Sequence, residues 1–381
     1  MRDAVIVGAV RTPVGVGKPI KGLLSDVHPV DLSARVLNAL VSRTGIDPTC
    51  IDDVIWGCVS QVGEQSANVG RNAVLAAGLP EEITAVSIDR QCGSSQQAVS
   101  FAAAGVIAGY YDVVVAGGVE SMSRVPMFSN IVGGAGPFSA ALTERYADGL
   151  VPQGISAEMI AAQWGLSRTR LDELAARSHE RAASATARGD FAAEIVPVGE
   201  VGADQGIRPG TSIETLAALP TPFQTDGVVT AGNASQISDG SAALLITSSQ
   251  RAAELGLTPL ARVHSVALAG VDPIIMLTGP IPATQRVLKR AGLALADIDA
   301  FEVNEAFASV IGAWEAEFDV DPDRVNPCGG AIALGHPLGA SGARLMTTLV
   351  HHLRRTGGRF GLQTMCEGGG MANATIIEAL Y

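Results

Sequence analysis

Cys92 stands in a segment whose residue types suit nucleophilic chemistry. It lies within residues 89–97 (DRQCGSSQQ), after a short apolar run and before an Ala-rich stretch predicted to form a helix. At the N-terminus of a helix, free backbone N–H groups and the positive end of the helix dipole lower the pKa of a thiol. The alternative is a small buried core side chain, which is the common fate of a lone cysteine. The segment predicts Cys92 as a candidate nucleophile with a lowered pKa.

His336 differs from the other histidines because it alone lies in a glycine-dense loop before a predicted helix. The loop covers residues 329–342 (GGAIALGHPLGASG), and Pro337 restricts the backbone directly after the histidine. Glycines allow a ligand to approach the backbone closely, and an imidazole titrates near neutral pH, which suits a general base. The alternative is a turn or capping histidine. We predict His336 as the candidate base.

Two further polar side chains lie where predicted strands end. Cys366 follows a predicted strand over residues 360–364 and comes just before three glycines, residues 368–370. Consecutive glycines can expose backbone N–H groups as an anion-binding nest or an oxyanion hole. Asn304 follows another predicted strand, and its amide can hold a water or a carbonyl oxygen without titrating. These residues extend the candidate site to four side chains.

The elements that must position these residues alternate between strands and helices. Short β-branched runs predict buried strands at residues 4–7, 54–55, 113–116, 244–247 and 375–377. Ala-rich and periodic stretches predict helices at residues 32–44, 94–108, 157–164, 170–188, 284–291 and 343–355. Such alternation predicts an α/β fold with largely buried sheets.

An internal repeat relates the two ends of the chain. When the sequence is shifted by 247 positions, residues 45–54 fall on residues 292–301, and Cys92 falls on Gly339. A constant offset across two strands and two helices favours a duplicated unit, although coincidence of common α/β patterns is the alternative. Two related units around a pseudo-twofold axis would bring these helix N-termini together, and with them Cys92 and His336.

The repeat also predicts the division of the chain. The N-terminal half covers residues 1–120 and 239–251, and the C-terminal half covers residues 252–381. Residues 121–238 interrupt the repeat, begin with a Gly/Ser/Pro-rich segment and form an inserted loop domain. Inserted loops on such scaffolds commonly carry binding functions.

Composition excludes several classes of protein. The chain has 381 residues, a formal net charge of −12, 47% hydrophobic and 17% charged residues. That balance argues against a disordered chain and against a nucleic-acid binder, which needs a basic face. Five scattered cysteines, without a CxxC pair, predict neither disulfides nor a metal site and favour a reducing, cytoplasmic compartment. No apolar run reaches the roughly 18 residues of a membrane span, so we expect no membrane partner.

Together these segments resemble the thiolase family of acyltransferases. The resemblance covers essentially the whole chain, in order, through residues 92–94 (CGS), 115–122 (VAGGVESM), 230–235 (TAGNAS), 304–307 (NEAF), 335–342 (GHPLGASG) and 366–370 (CEGGG). It implies two duplicated βαβαβαββ halves in a layered α/β/α/β/α core, with a loop domain that covers substrate and coenzyme A. It also implies CoA-dependent cleavage of a 3-ketoacyl-CoA to acetyl-CoA and a shortened acyl-CoA, or the reverse Claisen condensation.

The resemblance implies a role for each candidate residue. Cys92 would carry the acyl group as a thioester, and His336 would activate it. Cys366 would exchange a proton with the acetyl-CoA enolate. Asn304 would hold a water in an oxyanion hole with His336, while the backbone N–H groups of Cys92 and Gly368 would form a second hole.

The resemblance also implies binding partners. Coenzyme A and acyl-CoA act as substrates, no cofactor is tightly bound, and the chain forms a homodimer or a homotetramer. The residues that we expect to contact coenzyme A are Arg208, Ala231, Ser235, Ala306 and Phe307. For Arg208 the alternative is an ordinary surface arginine.

Several positions depart from the usual family pattern. Ser95 and Ala372 stand where most relatives have glycine, and Glu367 stands where most have an apolar residue. The segments around the two catalytic cysteines resemble the branch that acts on steroid side chains or long chains. A histidine that the family often carries in the loop domain is replaced by Pro152 or Gln153, which argues against the usual acetoacetyl-CoA pocket.

The leading hypothesis is therefore a degradative thiolase for long or bulky 3-ketoacyl-CoA, steroid side chains included. A biosynthetic acetoacetyl-CoA thiolase is the alternative within the family. A decarboxylating ketosynthase of the same fold would lack a second cysteine such as Cys366. A catalytically inactive acyl-CoA-binding relative would not need all four catalytic positions.

Overall fold

The computed structural model describes residues 2–147 and 149–381. Its helices are α1 (Pro29–Thr44), α2 (Val69–Ala76), α3 (Ser94–Ala108), α4 (Ala140–Arg145), α5 (Gln153–Gln163), α6 (Arg168–Arg188), α7 (Ile213–Ala217), α8 (Ser249–Glu254), α9 (Pro280–Ala291), α10 (Ala308–Glu317), α11 (Ala331–Leu334) and α12 (Ser341–Thr356). Its strands are β1 (Val5–Arg11), β2 (Gly15–Val16), β3 (Asp53–Gly57), β4 (Thr84–Ile88), β5 (Val113–Ser121), β6 (Ser238–Thr247), β7 (Ala261–Gly270), β8 (Ala300–Val303), β9 (Phe360–Glu367) and β10 (Met371–Ala379). The strands and helices predicted from the sequence lie on elements of the same type.

Local sequence signals explain where the elements begin and end, as α1 illustrates. The ring nitrogen of His28 accepts a hydrogen bond from the backbone N–H of Val30, and Pro29 occupies the first turn, where a missing N–H costs nothing. Gly45 ends the helix in the left-handed conformation, with φ of 69°. The helix therefore has a defined start and a defined stop in its own sequence.

The strands form one mixed sheet whose order reflects the duplication. The order is β4-β3-β5-β6-β1-β7-β10-β9-β8, with β2 beside β6. Strands β4, β3 and β5 run parallel, as do β8 and β9, while β6 and β10 each pair antiparallel with both of their neighbours. Strands β1 and β7 meet antiparallel at the centre. Outward from that contact, β1, β6, β5 and β3 on one side correspond to β7, β10, β9 and β8 on the other, and within residues 2–147 and 149–381 β4 has no counterpart beyond β8.

Apolar side chains pack in layers on both faces of the sheet. Helices α3 and α12 form the central layer, where Ala102 and Leu349 pack fully buried among strands of both halves. Helices α1 and α2 cover the outer face of the N-terminal half through residues such as Leu37 and Val74. Helices α5, α6, α9 and α10 cover the outer face of the other half, with Trp314 at its centre. The layered, duplicated α/β class predicted from the sequence is confirmed.

The elements repeat at the predicted offset, with one difference. Shifting α3 by 247 positions places it on α12, and the same shift places β3 on β8 and β5 on β9. The segment equivalent to β4, however, folds as the short helix α11. A buried carboxylate packs against this helix: Glu305 accepts hydrogen bonds from Ser178 and from the backbone N–H of Ile332. Gly330 lies so close to that carboxyl group that an added Cβ would stand 2.2 Å from its carbon.

The segment between β5 and β6 carries α4 to α7 and reaches across to the other half. Leu171 and Leu174 of α6 belong to the same apolar cluster as Val310 and Ile311 of α10. The segment between β5 and β6 therefore supplies part of the layer that covers the C-terminal half. The exact domain boundaries given above stay a prediction. Within the described ranges, no helix has both the length and the apolar character needed to cross a membrane.

Candidate active site

The N-termini of the two central helices touch at their backbones. Gly342, at the start of α12, lies so close to α3 that an added Cβ would stand 2.2 Å from the backbone nitrogen of Gln96. Beside it, the backbone N–H of Ala343 donates to the hydroxyl of Ser95 at 2.9 Å. Glycine at this contact is a steric requirement, because no side chain fits between the helices. The repeat therefore brings the segments of Cys92 and His336 together.

A buried carboxylate fastens the loops around this contact. Glu120, near the end of β5, accepts hydrogen bonds from the backbone N–H groups of Val59, Ser60 and Gly339 and from the side chain of Gln65. Burial raises its pKa, and the hydrogen bonds oppose that rise. The carboxylate joins the loop after β3 to the turn that leads into α12.

Cys92 lies two residues before α3 in a turn with unusual backbone geometry. Gln91 adopts φ of +48°, and the hydroxyl of Ser94 closes the turn by accepting from Arg90 N–H at 2.9 Å and donating to Gln91 C=O at 2.6 Å. Cys92 is 5% exposed. A tight turn at a helix start thus presents the thiol from a fixed position.

The predicted lowering of the Cys92 pKa is wrong. Burial raises the pKa of the thiol to about 12, and the negative charges of Glu367, Glu120 and Asp89 add to the effect. A backbone hydrogen bond lowers it only in part. Desolvation and acidic neighbours outweigh the helix N-terminus, so the resting thiol keeps its proton.

His336 is held in one orientation and one tautomer. The hydroxyl of Ser341 donates to the carbonyl of Pro337 at 2.8 Å, so its oxygen accepts from Nδ1–H of His336 at 2.6 Å. The proton is therefore on Nδ1, and Nε2 carries the free lone pair. Burial lowers the pKa of His336 to about 3, and the positive charge of Arg344 adds to the effect. The imidazole is neutral and able to accept a proton at Nε2.

Asn304 directly follows β8 and faces the same imidazole. Its side-chain nitrogen lies 3.4 Å from Nε2 of His336, and its backbone N–H donates to the carbonyl of Thr364 at 3.0 Å. Its side-chain oxygen is buried and has no hydrogen-bond partner among residues 2–147 and 149–381. The amide therefore has unused capacity to hold a water or a substrate oxygen.

Cys366 lies inside β9, because the strand runs to Glu367 and not only to the predicted residue 364. Pairing with β10 across a hairpin extends it, and residues 368–370 form the turn, with φ of +84° at Gly369 and +79° at Gly370. The Cys366 thiol is fully buried. Burial raises its pKa well above the ordinary value, and the nearby Cys92 contributes. The two thiols therefore interact, and both are neutral at rest.

The residues expected to contact coenzyme A fall into two groups. The backbone N–H of Ser235 donates to the carbonyl of Ala306 at 2.9 Å, and Ala234 forms a β-bridge with Phe307. These contacts join residues 230–235 to residues 304–307. Ala231 is exposed just before them. Arg208 lies on a different turn, exposed, where its backbone N–H donates to His179. Within the described ranges, no hydrogen bond of the Arg208 side chain joins it to the first group.

Sequence reasoning missed the buried charges that surround the site. Arg344, one helical turn after Ser341, is 2% exposed, and its guanidinium has no hydrogen-bond partner in the part of the chain that the structure describes. Glu302, two residues before Asn304, is equally buried, and burial raises its pKa to about 8. A carboxylate inside an apolar strand was the available signal for Glu302 and for Glu120. Arg344 gave none, because a polar residue is ordinary in a helix.

The geometry defines a class of protein: a duplicated α/β enzyme with two thiols, an imidazole and an amide enclosed between its halves. In residues 2–147 and 149–381, no cluster of histidine, cysteine and acidic side chains could hold a metal ion. Thiols and imidazole suit acyl transfer through a thioester, since sulfur both attacks and leaves readily.

Comparisons with known proteins then give the family. "Thiolase, N-terminal domain" matches residues 4–250, and "Thiolase, C-terminal domain" matches residues 257–379. The chain belongs to the thiolase family, and it is an acyltransferase.

Relatives and solved structures agree along the whole length. The chain is 49% identical to "Steroid 3-ketoacyl-CoA thiolase FadA6" of Mycobacterium tuberculosis, over 100% of this chain and 95% of that one. It is 45% identical to a "3-ketoacyl-CoA thiolase" of Erwinia tasmaniensis, over all of both chains. The crystal structure of the Bacillus anthracis acetyl-CoA acetyltransferase superposes with a TM-score of 0.91 at 40% identity, covering 100% of this chain and 99% of that one.

Proposed function

We propose that this thiolase cleaves 3-ketoacyl-CoA thioesters with coenzyme A, releasing acetyl-CoA and an acyl-CoA shortened by two carbons, on long or bulky chains. The observation that carries the proposal is the enclosure of Cys92, His336 and Cys366 at the contact between the two halves. The names of the relatives support the substrate class, and the 49% identity to a steroid thiolase supports a steroid side chain among the substrates.

In the first half-reaction, Cys92 acts as the nucleophile. Its proton passes to Nε2 of His336 as the sulfur attacks the 3-keto carbon. The oxyanion that develops on the 3-keto oxygen is stabilised by the backbone N–H groups of Cys92 and Gly368. Because thiol and imidazole are both neutral at rest, charge separates only when a substrate is present to receive it. Each oxyanion donor contributes about 3–4 kcal/mol to such a transition state.

Cleavage then breaks the bond between the α-carbon and the former keto carbon. The electron pair stays on acetyl-CoA as an enolate, whose oxygen is stabilised by the hole that Asn304, through a water, forms with His336. The Cys366 thiol protonates the enolate carbon. The acyl group remains on Cys92 as a thioester, held by the backbone N–H groups of Cys92 and Gly368.

A second thiol completes the cycle. Coenzyme A gives its proton to the Cys366 thiolate and attacks the acyl-enzyme. Cys92 leaves and regains its proton from His336. The two enzyme thiols and the histidine thereby return to their starting states, and coenzyme A leaves as the shortened acyl-CoA.

A steady-state comparison of thioesters tests the substrate class. We expect kcat/KM for a long-chain or steroid side-chain 3-ketoacyl-CoA to exceed that for acetoacetyl-CoA by roughly tenfold or more. The second candidate is biosynthetic acetoacetyl-CoA condensation, which the likeness to an acetyl-CoA acetyltransferase favours. A strong preference for acetoacetyl-CoA would reject the bulky-substrate proposal and select the second candidate.

The coenzyme contacts form part of the proposal. Ala231, Ser235, Ala306 and Phe307 would line the passage of the pantetheine arm, supported by the backbone contacts that join them. Arg208 would meet the phosphates from its exposed turn, which suits an acidic chain that needs a local positive contact. No tightly bound cofactor takes part.

The assembly and location are also proposed. Strand β4 is an edge of the sheet and carries the exposed apolar residue Val86, and Phe101 and Tyr110 are exposed on α3 and just after it, which supports pairing with a second copy. We propose a homodimer that associates further into a tetramer, in the cytoplasm, where the five free cysteines stay reduced. Light scattering would show a monomer for Phe101→Arg and a larger species for the native chain. Residues 121–238 would form the domain that covers substrate and coenzyme A. The N-terminal half would comprise residues 1–120 and 239–251, and the C-terminal half residues 252–381.

A further inference from the structure

Glu367 is a buried acid that none of the steps above uses. Its side chain is 0% exposed. Neither carboxyl oxygen has a hydrogen-bond partner in the ranges that the structure covers. Burying a carboxyl group without partners costs free energy unless the group keeps its proton.

The carboxyl group packs against the turn that presents the nucleophile. One of its oxygens lies 2.1 Å from where a Cβ on Gly93 would stand, so only glycine leaves room for it. Gly93 is also held from the same sheet, because Asn373 on β10 donates to its carbonyl at 3.0 Å. Glu367 therefore touches the residue directly after Cys92 while its own neighbour on β9 is Cys366.

The charges around the group come from both elements that pack there. The loop after β4 provides Asp89 and Arg90, with Nη1 of Arg90 3.9 Å from a carboxyl oxygen of Glu367. The same loop provides Cys92, and β9 provides Cys366. After burial, Glu367 is the largest single cause that raises the pKa of Cys92. The interaction is thus directed at the sulfur that must become a thiolate.

We propose that Glu367 is a positioning residue that acts on the nucleophile through its charge. As a neutral acid it packs against Gly93 and leaves the Cys92 thiol free to lose its proton. As a carboxylate it places a negative charge beside the sulfur and opposes the thiolate. The proposal rests on the proposed role of Cys92 as nucleophile and adds a second group that sets when that role is available.

The pH at which the charge appears follows from its surroundings. Burial raises the pKa of Glu367 to about 8; Asp89 adds to the rise, and Arg90 opposes it. The acid is therefore neutral at pH 6.5 and ionised at pH 9.5. In the native protein, the Cys92 thiolate becomes less favourable as pH rises and more of Glu367 is ionised. Replacement by glutamine removes that effect at every pH.

Alkylation of Cys92 by iodoacetamide tests this without any acyl-CoA. The rate is measured from pH 6.5 to 9.5 in the native protein and in Glu367→Gln, by quantifying carboxamidomethyl-Cys92 in a digest. We expect the ratio of variant to native rates to be near one at pH 6.5 and to rise to roughly tenfold at pH 9.5. The ratio cancels the ordinary increase of thiolate with pH, which both proteins share.

Two further variants separate charge from packing. Glu367→Met is neutral and of similar size, so it should show the same rise. Glu378→Gln removes a carboxylate on β10 that pairs with Arg262 and Arg359, away from Cys92, and should give a ratio near one throughout. A ratio that stays constant with pH in Glu367→Gln and Glu367→Met would overturn the proposal. The proposed function fails separately, if no acyl adduct forms on Cys92 from a 3-ketoacyl-CoA.

Discussion

The two helix N-termini that meet at the active site use one structural device for two purposes. In the N-terminal half, Ser94 accepts from the backbone N–H of Arg90 and donates to the carbonyl of Gln91. At the equivalent position of the C-terminal half, Ser341 accepts from the ring of His336 and donates to the carbonyl of Pro337. The same serine shapes a turn in one half and orients a base in the other.

The electrostatic surroundings of the two helix starts are opposite in sign. Acidic groups surround Cys92 and raise its pKa, whereas a buried Arg344 contributes to lowering the pKa of His336. Arg344 is the equivalent of Gln97 under the offset of the repeat. Both arrangements keep the proton on sulfur at rest. The same backbone arrangement thus carries a thiol in one half and a base in the other.

The largest expected effect comes from removing the base. His336→Ala should lower both acylation and overall thiolysis by about 10⁴-fold, since the thiol of Cys92, with a pKa of about 12, then has no acceptor. Single-turnover acylation and steady-state thiolysis are the measurements. A decrease of less than about tenfold in either rate would contradict the assignment of His336 as the base.

Removing the second thiol should separate the two half-reactions. Cys366→Ala should still accept an acyl group from a simple acyl-CoA, while cleavage of 3-ketoacyl-CoA falls by roughly 10²–10³-fold for want of the acid. Intact-mass detection of the adduct is compared with the cleavage rate. Normal turnover by this variant would refute the acid/base role.

Ser94 and Ser341, the equivalent serines of the two halves, allow a matched test of their different roles. Ser341→Ala frees the tautomer of His336 and should lower kcat/KM by roughly tenfold. Ser94→Ala loosens only the turn before α3 and should cost less activity. Equal losses of kcat/KM, at equal melting temperatures, would mean that both serines serve only to shape turns.

The smallest expected effect is a pH-dependent change in stability at Glu367. Its pKa is raised from 4.5 to about 8 in the folded chain, so between these values the folded state holds a proton that the unfolded state has lost. The native protein therefore loses stability as pH rises from about 4.5 to 8. The melting temperature of Glu367→Gln minus that of the native chain should increase by about 2–5 °C between pH 5 and pH 8. A difference that does not change with pH would contradict the raised pKa.

The duplicated fold and the position of the active site could be predicted from the sequence because local residue patterns indicate both. The offset between Cys92 and Gly339 revealed the duplication, and glycine-rich segments marked the site. What escaped was decided by tertiary packing. The direction of the Cys92 pKa shift depends on burial and on Glu367, which lies far along the chain on β9. The helix α11, which stands at the equivalent of β4, packs against the buried carboxylate of Glu305. In both cases the acidic residue lies far along the sequence from the segment that it contacts.

The most direct test of the central claim is the covalent intermediate itself. Native protein is incubated with a 3-ketoacyl-CoA without free coenzyme A, and the intact mass is recorded beside that of Cys92→Ser. We predict an added acyl group, shortened by two carbons, on the native chain and none on the variant. No adduct on the native chain, or an unchanged adduct on Cys92→Ser, would contradict the assignment of Cys92 as the nucleophile.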